Sequence, residues 1–368
     1  MIVLIRCNDV VSDSRLKKYI DYLDKNCIEY RIIAWDRLGN SKRLPNVIYC
    51  NFRSKYNQGG IAAIIDRLKW MSFILFKLFS FKQKLVIHAC DLDAVFPSAV
   101  YKFLSLRKNY LIFDVFDWIS DTLYNQGRLV LWAFSVMEKF SVQKSDHIII
   151  CEQERVRQIP YNIERKYSVL QNIPSFTDRS FLSDNDDYHF DNGLFTLSYV
   201  GGFTNDRCLK EIINGALKGA YNLNIAGYGD MSIVDTLNKV KSPYIRYYGK
   251  VDYKLGLNIM YNSDIIFALY SKKNPNHLYA APNKFYECMF VGKAIITTKG
   301  IIIGEKVLDM QIGYVVDEDE KSIVRLVTSL SNEDIASKSL KAKEMWNSYE
   351  HKVDDYLNST YKKLIGNN

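Results

Sequence analysis

The sequence lacks the patterns that mark several common protein classes. Its seven cysteines are scattered singly, without a Cys-x-x-Cys pair, which argues against a disulfide framework or zinc site and favours reduced thiols in the cytosol. No His-Glu-x-x-His, Walker A or Gly-x-Ser-x-Gly motif occurs, so we predict no metal and no bound cofactor. Low-complexity runs are also absent, and 48% hydrophobic with 24% charged residues is a globular composition.

The sequence has no uninterrupted apolar run of bilayer-spanning length. The longest apolar stretch, residues 61–81, is broken by Asp66, Arg67, Lys69 and Lys77, so a transmembrane helix is not expected. The stretch predicts an amphipathic helix. It either packs only as a core helix of an α/β layer or also rests on an anionic membrane surface.

Positive charge is confined to the first half of the chain. Residues 1–185 contain 27 Lys and Arg against 19 Asp and Glu, an excess of 8, whereas residues 186–368 contain 22 of each. The first half has no recognisable nucleic-acid recognition module, so we expect no nucleic-acid partner. The asymmetry therefore favours a membrane surface or another anionic partner for the first half. Residues 1–5 are predicted to form a buried strand rather than a signal peptide, because Arg6 follows so few apolar residues.

Strand-like and helical patterns alternate through both halves, which is typical of parallel sheets with helices on both faces. We predict an α/β fold of two doubly wound, Rossmann-like domains facing across a cleft. The boundaries are residues 1–185 for an acceptor-binding domain, 186–345 for a nucleotide-sugar-binding domain, and 346–368 for a last helix crossing back to the first. In such sheets, ligands bind beyond the carboxyl ends of the strands.

Several strand ends of the second half carry residues suited to an anion. Gly201 and Gly202 end a strand and allow a ligand to approach the backbone closely. Arg207 and Lys284 are both predicted in the first turn of a helix, where a cation opposes the helix dipole unless an anion is shared. Glu287 is predicted to lie on nearly the same face as Lys284 and can accept hydrogen bonds from hydroxyl groups. The alternative is that both cations are solvated at the surface.

Two further strand ends are expected to frame a nucleotide. Tyr248 and Val251, on either side of Gly249, are placed to contact the base, largely through backbone groups; a plain tight turn is the alternative. Tyr270 also ends a strand and is either a packing residue or a ligand contact.

In the first half, His88 is predicted at a strand end facing the cleft, with either a structural or a functional role. Asp117 follows another strand as a helix cap or as the general base for an acceptor hydroxyl. Asp91 or Asp93 is expected to cap the next helix. Asp13 and Arg15 either initiate a helix or line the acceptor side.

These motifs together resemble the GT-B glycosyltransferases, particularly the bacterial family 4-like transferases (glycosyl transferases group 1). The likeness spans nearly the whole chain, and the last motif is the most specific. The motifs that carry it are Ser12-Asp-Ser-Arg15 with Ile33-Ala-Trp-Asp-Arg37, His88-Ala-Cys-Asp-Leu92, Phe113-Asp-Val-Phe-Asp117, Tyr199-Val-Gly-Gly202 with Arg207, and Pro282-Asn283-Lys284-Phe-Tyr-Glu287 with Gly292-Lys-Ala-Ile-Ile296.

The resemblance implies roles for these residues. Glu287 would bind ribose hydroxyls, Arg207 and Lys284 would neutralise a diphosphate, and His88 would border the sugar with the Gly201–Gly202 turn. Asn283 falls within the donor-binding motif. Tyr279 occupies the position where many retaining members carry a first glutamate, and Phe116-Asp117 replaces a His-Glu pair. Retaining and inverting outcomes therefore both stay open.

We hypothesise a metal-independent glycosyltransferase of bacterial surface glycan assembly. It would be cytoplasmic and peripheral on the inner face of the plasma membrane. Its donor would be a nucleotide diphosphate sugar such as a UDP-sugar, and its acceptor a lipid-linked saccharide or oligosaccharide. The alternatives are a sugar-nucleotide epimerase of the same fold and a catalytically silent scaffold in a glycan assembly complex.

Overall fold

The computed structural model describes residues 1–8, 10–11, 13–37, 39, 42–54, 60–164, 166–174 and 178–366. The chain divides into two compact units, described separately below. The N-terminal unit comprises Met1–Gln171 and Val353–Asn368, and the C-terminal unit comprises Asn172–Lys352. Ser12, part of the first motif, lies outside the described residues.

The first unit is shorter than the predicted 1–185 domain. The segment after Gln171 packs within the C-terminal unit, where the Asn262 side chain donates to the Ser183 carbonyl at 2.9 Å and accepts from the Asn185 N–H at 2.9 Å. The chain's last segment belongs to the N-terminal unit.

The N-terminal unit is built on a parallel sheet. In its described residues seven strands lie in the order β3-β2-β1-β4-β5-β6-β7. The order reverses between β1 and β4, the kind of position where parallel sheets hold ligands. The strands are β1 (Ile2–Arg6), β2 (Tyr30–Trp35), β3 (Val47–Cys50), β4 (Val86–Cys90), β5 (Tyr110–Val115), β6 (His147–Ile150) and β7 (Tyr167–Val169).

Helices connect these strands and cover the sheet. β1, β4 and β5 are almost wholly buried, as their continuous apolar runs require of a sheet covered on both faces. The helices are α1 (Ser14–Lys25), α2 (Gly60–Ser80), α3 (Leu92–Leu104), α4 (Ile119–Thr122) and α5 (Arg128–Lys144), with α14 (Lys352–Tyr356), a π-turn (Leu357–Tyr361) and α15 (Lys362–Ile365) at the end of the chain. None of the helices in the described part of the chain is both long and apolar enough to cross a membrane.

The C-terminal unit repeats this architecture. Six strands of its described residues form a parallel sheet in the order β10-β9-β8-β11-β12-β13, which reverses between β8 and β11. The strands are β8 (Thr196–Phe203), β9 (Asn222–Gly229), β10 (Ile245–Tyr247), β11 (Ile265–Ala268), β12 (Ala294–Thr298) and β13 (Gly313–Val316). The helices are α6 (Leu209–Leu217), α7 (Met231–Lys239), α8 (Tyr253–Tyr261), α9 (Pro275–Leu278), α10 (Asn283–Val291), α11 (Ile302–Asp309), α12 (Glu320–Ser329) and α13 (Asn332–Trp346).

The two parallel sheets confirm the predicted fold class. Gly292 ends α10 in the left-handed conformation (φ 69°). The prediction for α6 was wrong at its start: the helix begins at Leu209 rather than near residue 205, because Cys208 adopts a left-handed conformation (φ 52°) and acts as the N-cap. Arg207 therefore precedes the helix and does not lie in its first turn.

Candidate functional site

The carboxyl edge of the C-terminal sheet is open at the end of β8. The backbone of Gly201 has φ +155°, and a Cβ at Gly227 on the neighbouring strand would lie 1.9 Å from the Gly201 carbonyl oxygen. Only glycine permits this close approach of the two strands. Gly202, the next residue of β8, is exposed, so the strand backbone is accessible near the point where the strand order reverses.

The ammonium group of Lys284 lies against this glycine turn. A Cβ at Gly201 would be 2.6 Å from Lys284 Nζ, which also lies 4.9 Å from the centre of the Tyr199 ring. Lys284 is the second residue of α10, so the positive end of the helix dipole adds to its charge. Burial lowers the pKa of Lys284 to about 8, with the Glu287 carboxylate opposing this shift and the Arg207 charge adding to it.

Arg207 is the second cation of this site. Its guanidinium carbon lies 4.1 Å from the centre of the Tyr270 ring, a stacking geometry in which arginine keeps its edge available to a planar or phosphate ligand. The backbone N–H of Arg207 donates to the Thr204 carbonyl at 3.2 Å and closes the turn that precedes α6. Because Arg207 depresses the pKa of Lys284, two like charges lie close enough to repel.

Glu287 is the anionic member of the site. Its side chain is buried, with 5% of its surface exposed. Tyr253 is hydrogen-bonded to it through the phenol, and burial together with this carboxylate raises the pKa of Tyr253. Tyr253 as a whole is 37% exposed. The pairing holds the Glu287 carboxylate in place as a hydrogen-bond acceptor at the first two turns of α10.

The structure places the other predicted residues of this unit around the same edge. The side chain of Tyr248 is turned inward: its hydroxyl donates to Asn224 Oδ1 at 3.0 Å and its ring packs 5.6 Å from that of Tyr188. Val251 packs beside Tyr248 against a small apolar cluster. Contact of Tyr248 with a base would thus involve the backbone of Tyr248. Asn283, which falls within the predicted donor-binding motif, is the first residue of α10.

Tyr270 has the packing role that was one of its two predicted roles. It is buried, its backbone N–H donates to Thr298 Oγ1 at 2.9 Å, and its ring supports the Arg207 guanidinium. The ring is therefore a packing residue that positions a candidate ligand-binding residue.

A buried histidine of this site was not found from the sequence. His277 Nδ1 lies 3.0 Å from the Ser271 carbonyl oxygen, and Nε2 lies 3.2 Å from Asp206 Oδ2. Asp206 also accepts a hydrogen bond from the Thr204 hydroxyl and thereby stabilises the turn that carries Arg207. Burial alone would raise the pKa of Asp206, but the Thr204 hydrogen bond and the charges of Arg207 and His277 lower it. Because His277 lies 71 residues after Asp206 in the chain, no local sequence pattern indicates that the two side chains pair.

In the N-terminal unit the structure places His88 in the interior. Its side chain is completely buried, with Nδ1 3.0 Å from the Tyr361 hydroxyl and Nε2 3.3 Å from Asp114 Oδ2. Both ring nitrogens are thus engaged in the interior, which favours the structural role, and a role at the sugar stays a prediction. His88 connects the end of the chain to the middle of the sheet.

Arg15 and Asp114 form the centre of this buried network. Arg15 Nη2 lies 2.7 Å from Asp114 Oδ1, and the Tyr19 hydroxyl donates to Asp114 Oδ2 at 2.7 Å. Burial would raise the pKa of Asp114, but the Arg15 charge and the His88 hydrogen bond hold it well below its usual range. Arg15 is thus an internal ion-pair partner rather than an acceptor-lining residue.

Asp117 lies at the surface beyond β5. Its side chain is 54% exposed and has Arg155 Nη2 at 3.7 Å. The Asp117 N–H donates to Asp91 Oδ1 at 3.3 Å, and the Phe116 N–H donates to the same oxygen at 3.0 Å.

The structure confirms the position predicted for the helix cap, at Asp91. Asp91 occupies the N-cap position of α3 without a side-chain cap bond. Its carboxylate is engaged by the Phe116–Asp117 turn and by Arg6 instead. The backbone at Asp91 has φ 66° and ψ 171°, a conformation that non-glycine residues rarely adopt and that the surrounding contacts must stabilise.

The sequence alone matches no protein-family model and no curated protein, but solved structures share its fold. Sucrose-phosphate synthase from Thermosynechococcus elongatus superposes with a TM-score of 0.75 at 12% identity, covering 100% of this chain and 99% of that one. Anabaena HepE in complex with UDP gives 0.67 at 12% identity, covering 98% and 99%. A putative UDP-N-acetylglucosamine 2-epimerase from Listeria monocytogenes gives 0.58 at 8%, covering 96% of each chain. The chain therefore has the GT-B glycosyltransferase fold.

Proposed function

We propose that this protein is a glycosyltransferase that uses a nucleotide diphosphate sugar, with UDP as the nucleotide. The observation that carries the proposal is that Lys284 lies against the glycine turn, near enough to Arg207 and Glu287 for both charges to act on its pKa. A diphosphate relieves the repulsion between the two cations. Glu287 supplies the acceptor for a ribose diol. HepE, which shares the fold, is in complex with UDP.

The two cations stabilise the leaving group during transfer. As the bond between the anomeric carbon and the diphosphate oxygen breaks, negative charge develops on the diphosphate. Arg207 and Lys284 are placed to stabilise that charge, because they are fixed by Tyr270 and by the start of α10 before the ligand binds. The acceptor oxygen forms the new bond to the anomeric carbon, and the nucleoside diphosphate departs.

For an inverting reaction we propose Asp117 as the base that removes the proton of the acceptor hydroxyl. Its carboxylate is 54% exposed, although Arg155 lies 3.7 Å away, whereas the carboxylates of Asp114 and Asp91 are 0% and 16% exposed and are held in closer ion pairs. The Asp91 side chain holds the backbone of the Phe116–Asp117 turn. A retaining reaction would not require this base, so Asp117→Asn separates the two outcomes: it abolishes inverting transfer and leaves retaining transfer largely intact.

An assay with a panel of UDP-sugars distinguishes this function from its alternatives. A transferase releases free UDP and a new glycoside, an epimerase releases a rearranged UDP-sugar, and a scaffold releases neither. The epimerase alternative has a specific basis, since an epimerase shares the fold. Product analysis by mass spectrometry and NMR identifies which of these occurs. Recovery of a rearranged donor without UDP release would overturn the transferase proposal.

The turn at Gly201 offers a sharper test of donor binding. The methyl group of Gly201→Ala would displace the Lys284 ammonium from its position. We expect UDP to bind about tenfold more weakly, as for loss of a charged contact. Titration calorimetry measures the change. Gly202→Ala is the matched control, because a Cβ there meets no atom within 4 Å, and equal weakening in both variants would contradict the assignment.

We further propose that the acceptor is a lipid-linked saccharide and that the N-terminal unit attaches peripherally to an anionic membrane, on the cytoplasmic face. The support is a membrane-facing patch, here defined as the exposed apolar residues of three helices packed side by side, α2, α3 with the turn after it, and α5. Its most exposed members are Phe76, Phe103, Leu106, Leu129 and Trp132.

Cations accompany this apolar patch. The Lys77 ammonium lies 5.8 Å from the Phe76 ring centre, and that of Lys144 lies 4.5 Å from the Phe103 ring centre. Apolar side chains with neighbouring lysines are typical of surfaces that bind anionic lipid headgroups.

Sedimentation with liposomes tests the membrane proposal. We expect salt-sensitive binding to vesicles of anionic lipid and weaker binding to neutral vesicles. Trp132→Ser should lower the partition coefficient by roughly tenfold, the loss expected for one large apolar side chain. Leu340→Ser, an exposed apolar position on α13 of the other unit, should bind like the wild type. Binding that is independent of lipid charge and of Trp132 would overturn the proposal.

A further inference from the structure

His277 is a buried titratable residue for which the transfer reaction above has no role. It lies on α9, and only 5% of its surface is exposed. Its ring meets the Tyr270 ring edge to face, with 5.5 Å between the two ring centres, and the Arg207 guanidinium stacks on the same tyrosine. His277 is therefore separated by one aromatic ring from a cation of the proposed donor site.

Both ring nitrogens of His277 face hydrogen-bond acceptors. Nδ1 lies 3.0 Å from the Ser271 carbonyl oxygen, which can only accept, so Nδ1 carries a proton. Nε2 lies 3.2 Å from Asp206 Oδ2. Burial favours the neutral form of Asp206, but the Thr204 hydrogen bond and the neighbouring positive charges lower its pKa, so this carboxylate is ionised and also only accepts. A neutral imidazole has a single N–H and satisfies one of these acceptors; two protons, and hence a positive charge, satisfy both.

The Asn274 side chain is compatible with a charged ring. Its Oδ1 accepts from the Asn276 backbone N–H at 3.1 Å, which identifies Nδ2 as the atom that faces His277. This Nδ2 lies 3.5 Å from His277 Nε2 and 3.4 Å from Asp206 Oδ2. Because the charged carboxylate is the stronger acceptor, the amide and the ring both donate to Asp206.

The other charged groups of this region lie beyond the partners of His277. Glu318 accepts from the Ser271 hydroxyl at 2.6 Å and from the Lys272 backbone N–H at 2.7 Å. The side chains of Lys272 and Lys273 are exposed. The direct ion pair of His277 is therefore with Asp206.

We propose that His277 is an imidazolium that positions Arg207 for the diphosphate by pairing with the Asp206 carboxylate. Asp206 directly precedes Arg207, whose charge acts on it. Without a counter-charge, this carboxylate would compete with a diphosphate for the Arg207 guanidinium. The imidazolium neutralises the carboxylate, so that Arg207 and Lys284 act on the ligand. This role rests on the proposed function, because it requires a diphosphate donor.

Nitrogen NMR of the full chain, labelled at its histidines, tests the charge of the ring without any ligand. The chain has five histidines, and the loss of signals in His277→Gln identifies those of His277. We expect both of its ring nitrogens to carry a proton at neutral pH, because an opposite charge in contact favours the charged form. A single protonated nitrogen at neutral pH would overturn the proposal.

Calorimetric titration with UDP, from about pH 6 to about pH 9, tests the positioning role. His277→Gln keeps a donor for Asp206 but carries no charge. While the wild-type ring is protonated, we expect this variant to bind UDP about tenfold more weakly than the wild type. As the pH rises and the wild-type ring loses its proton, the two affinities should converge in step with the NMR titration. The titrations of UDP and of Lys284 are common to both proteins, so the ratio of the affinities reports His277.

His189→Gln is the matched control. His189 Nε2 also lies 2.9 Å from a carboxylate oxygen, that of Asp184, but the two side chains are 45% and 84% exposed. This variant should bind UDP like the wild type at every pH. A weakening in His277→Gln that stays constant while the wild-type ring titrates, or no weakening at all, would overturn the role of His277 and leave the proposed function intact. Absence of UDP binding by the wild type would overturn both.

Asp206→Asn supplies a second variant, which decides the result if circular dichroism shows that His277→Gln is unfolded. It removes the competing charge, while the amide oxygen can still accept from the Thr204 hydroxyl. We expect UDP to bind Asp206→Asn at least as tightly as it binds the wild type. Binding that is tenfold weaker than that of the wild type would contradict competition between Asp206 and the diphosphate.

Discussion

Alanine in place of Lys284 is expected to lower the turnover number for sugar transfer by about a hundredfold to a thousandfold, the usual cost of removing one preorganised electrostatic group. The ammonium stands at the glycine turn of β8, 2.6 Å from where a Cβ of Gly201 would lie. There it is placed to neutralise a departing diphosphate. Steady-state kinetics with a UDP-sugar donor measures the loss.

The pH dependence supplies an independent measurement of the same group. Because the pKa of Lys284 is lowered to about 8, the free enzyme loses this charge as the pH rises through that value. We therefore expect kcat/KM for the donor to fall above about pH 8, since this parameter reports the free enzyme. Lys284→Arg keeps its charge throughout this range and should abolish the fall, even if its rate is lower.

The controls separate this effect from a general loss of charge. Lys210→Ala removes an exposed lysine of α6 in the same unit and should leave turnover unchanged. Arg207→Ala should resemble Lys284→Ala, because both cations act on one diphosphate. Unchanged turnover in both Lys284→Ala and Arg207→Ala would reject their assignment.

The second large effect is on stability. Asp114→Ala is expected to lower the free energy of unfolding by about 3–5 kcal/mol, because it leaves the buried Arg15 guanidinium without its counter-charge. The same substitution removes the acceptor of Tyr19 and His88. Urea unfolding followed by circular dichroism measures the change.

Asp117→Ala is the matched control, three residues further along the same segment. Its carboxylate is exposed and lies 3.7 Å from Arg155, so we expect a change within about 1 kcal/mol. Because the pKa of Asp114 is lowered by folding, its stabilising contribution is complete at neutral pH and declines as the pH falls below about 4. Similar losses of stability in the two variants would refute the role of the buried network.

The sequence was sufficient for the sheets and for placing Gly201 and Lys284, the residues of the proposed donor site, near each other. Strands such as β1 and β12 are continuous apolar runs, and such runs mark strands that are buried on both faces. Since ligands meet parallel sheets at the carboxyl ends of strands, Gly201 and Lys284 could be chosen by position alone. The end of α10 at Gly292 also follows from the local sequence, because glycine readily adopts the left-handed conformation that ends a helix.

The starts of helices were predicted less accurately than the strands. The error at α6 changes the reason why Arg207 is held at the candidate site. Arg207 was expected inside the first turn of α6, but the left-handed Cys208 delays the helix to Leu209. A non-glycine residue with positive φ has no clear sequence signal. The stacking of Arg207 on Tyr270, rather than a helix dipole, therefore accounts for its position.

The chain by itself determined the repeating order of strands and helices, because hydrophobic periodicity and glycine exits are encoded within a few neighbouring residues. Only the tertiary structure decided which polar groups pair in the interior. The His88 side chain contacts the Tyr361 hydroxyl, although the two residues are 273 positions apart in the sequence. The His277 side chain contacts the Asp206 carboxylate, although these residues are 71 positions apart. Such pairs form because packing brings distant strand ends together and buried polar atoms must then find partners. No local sequence pattern indicates which buried polar groups will pair.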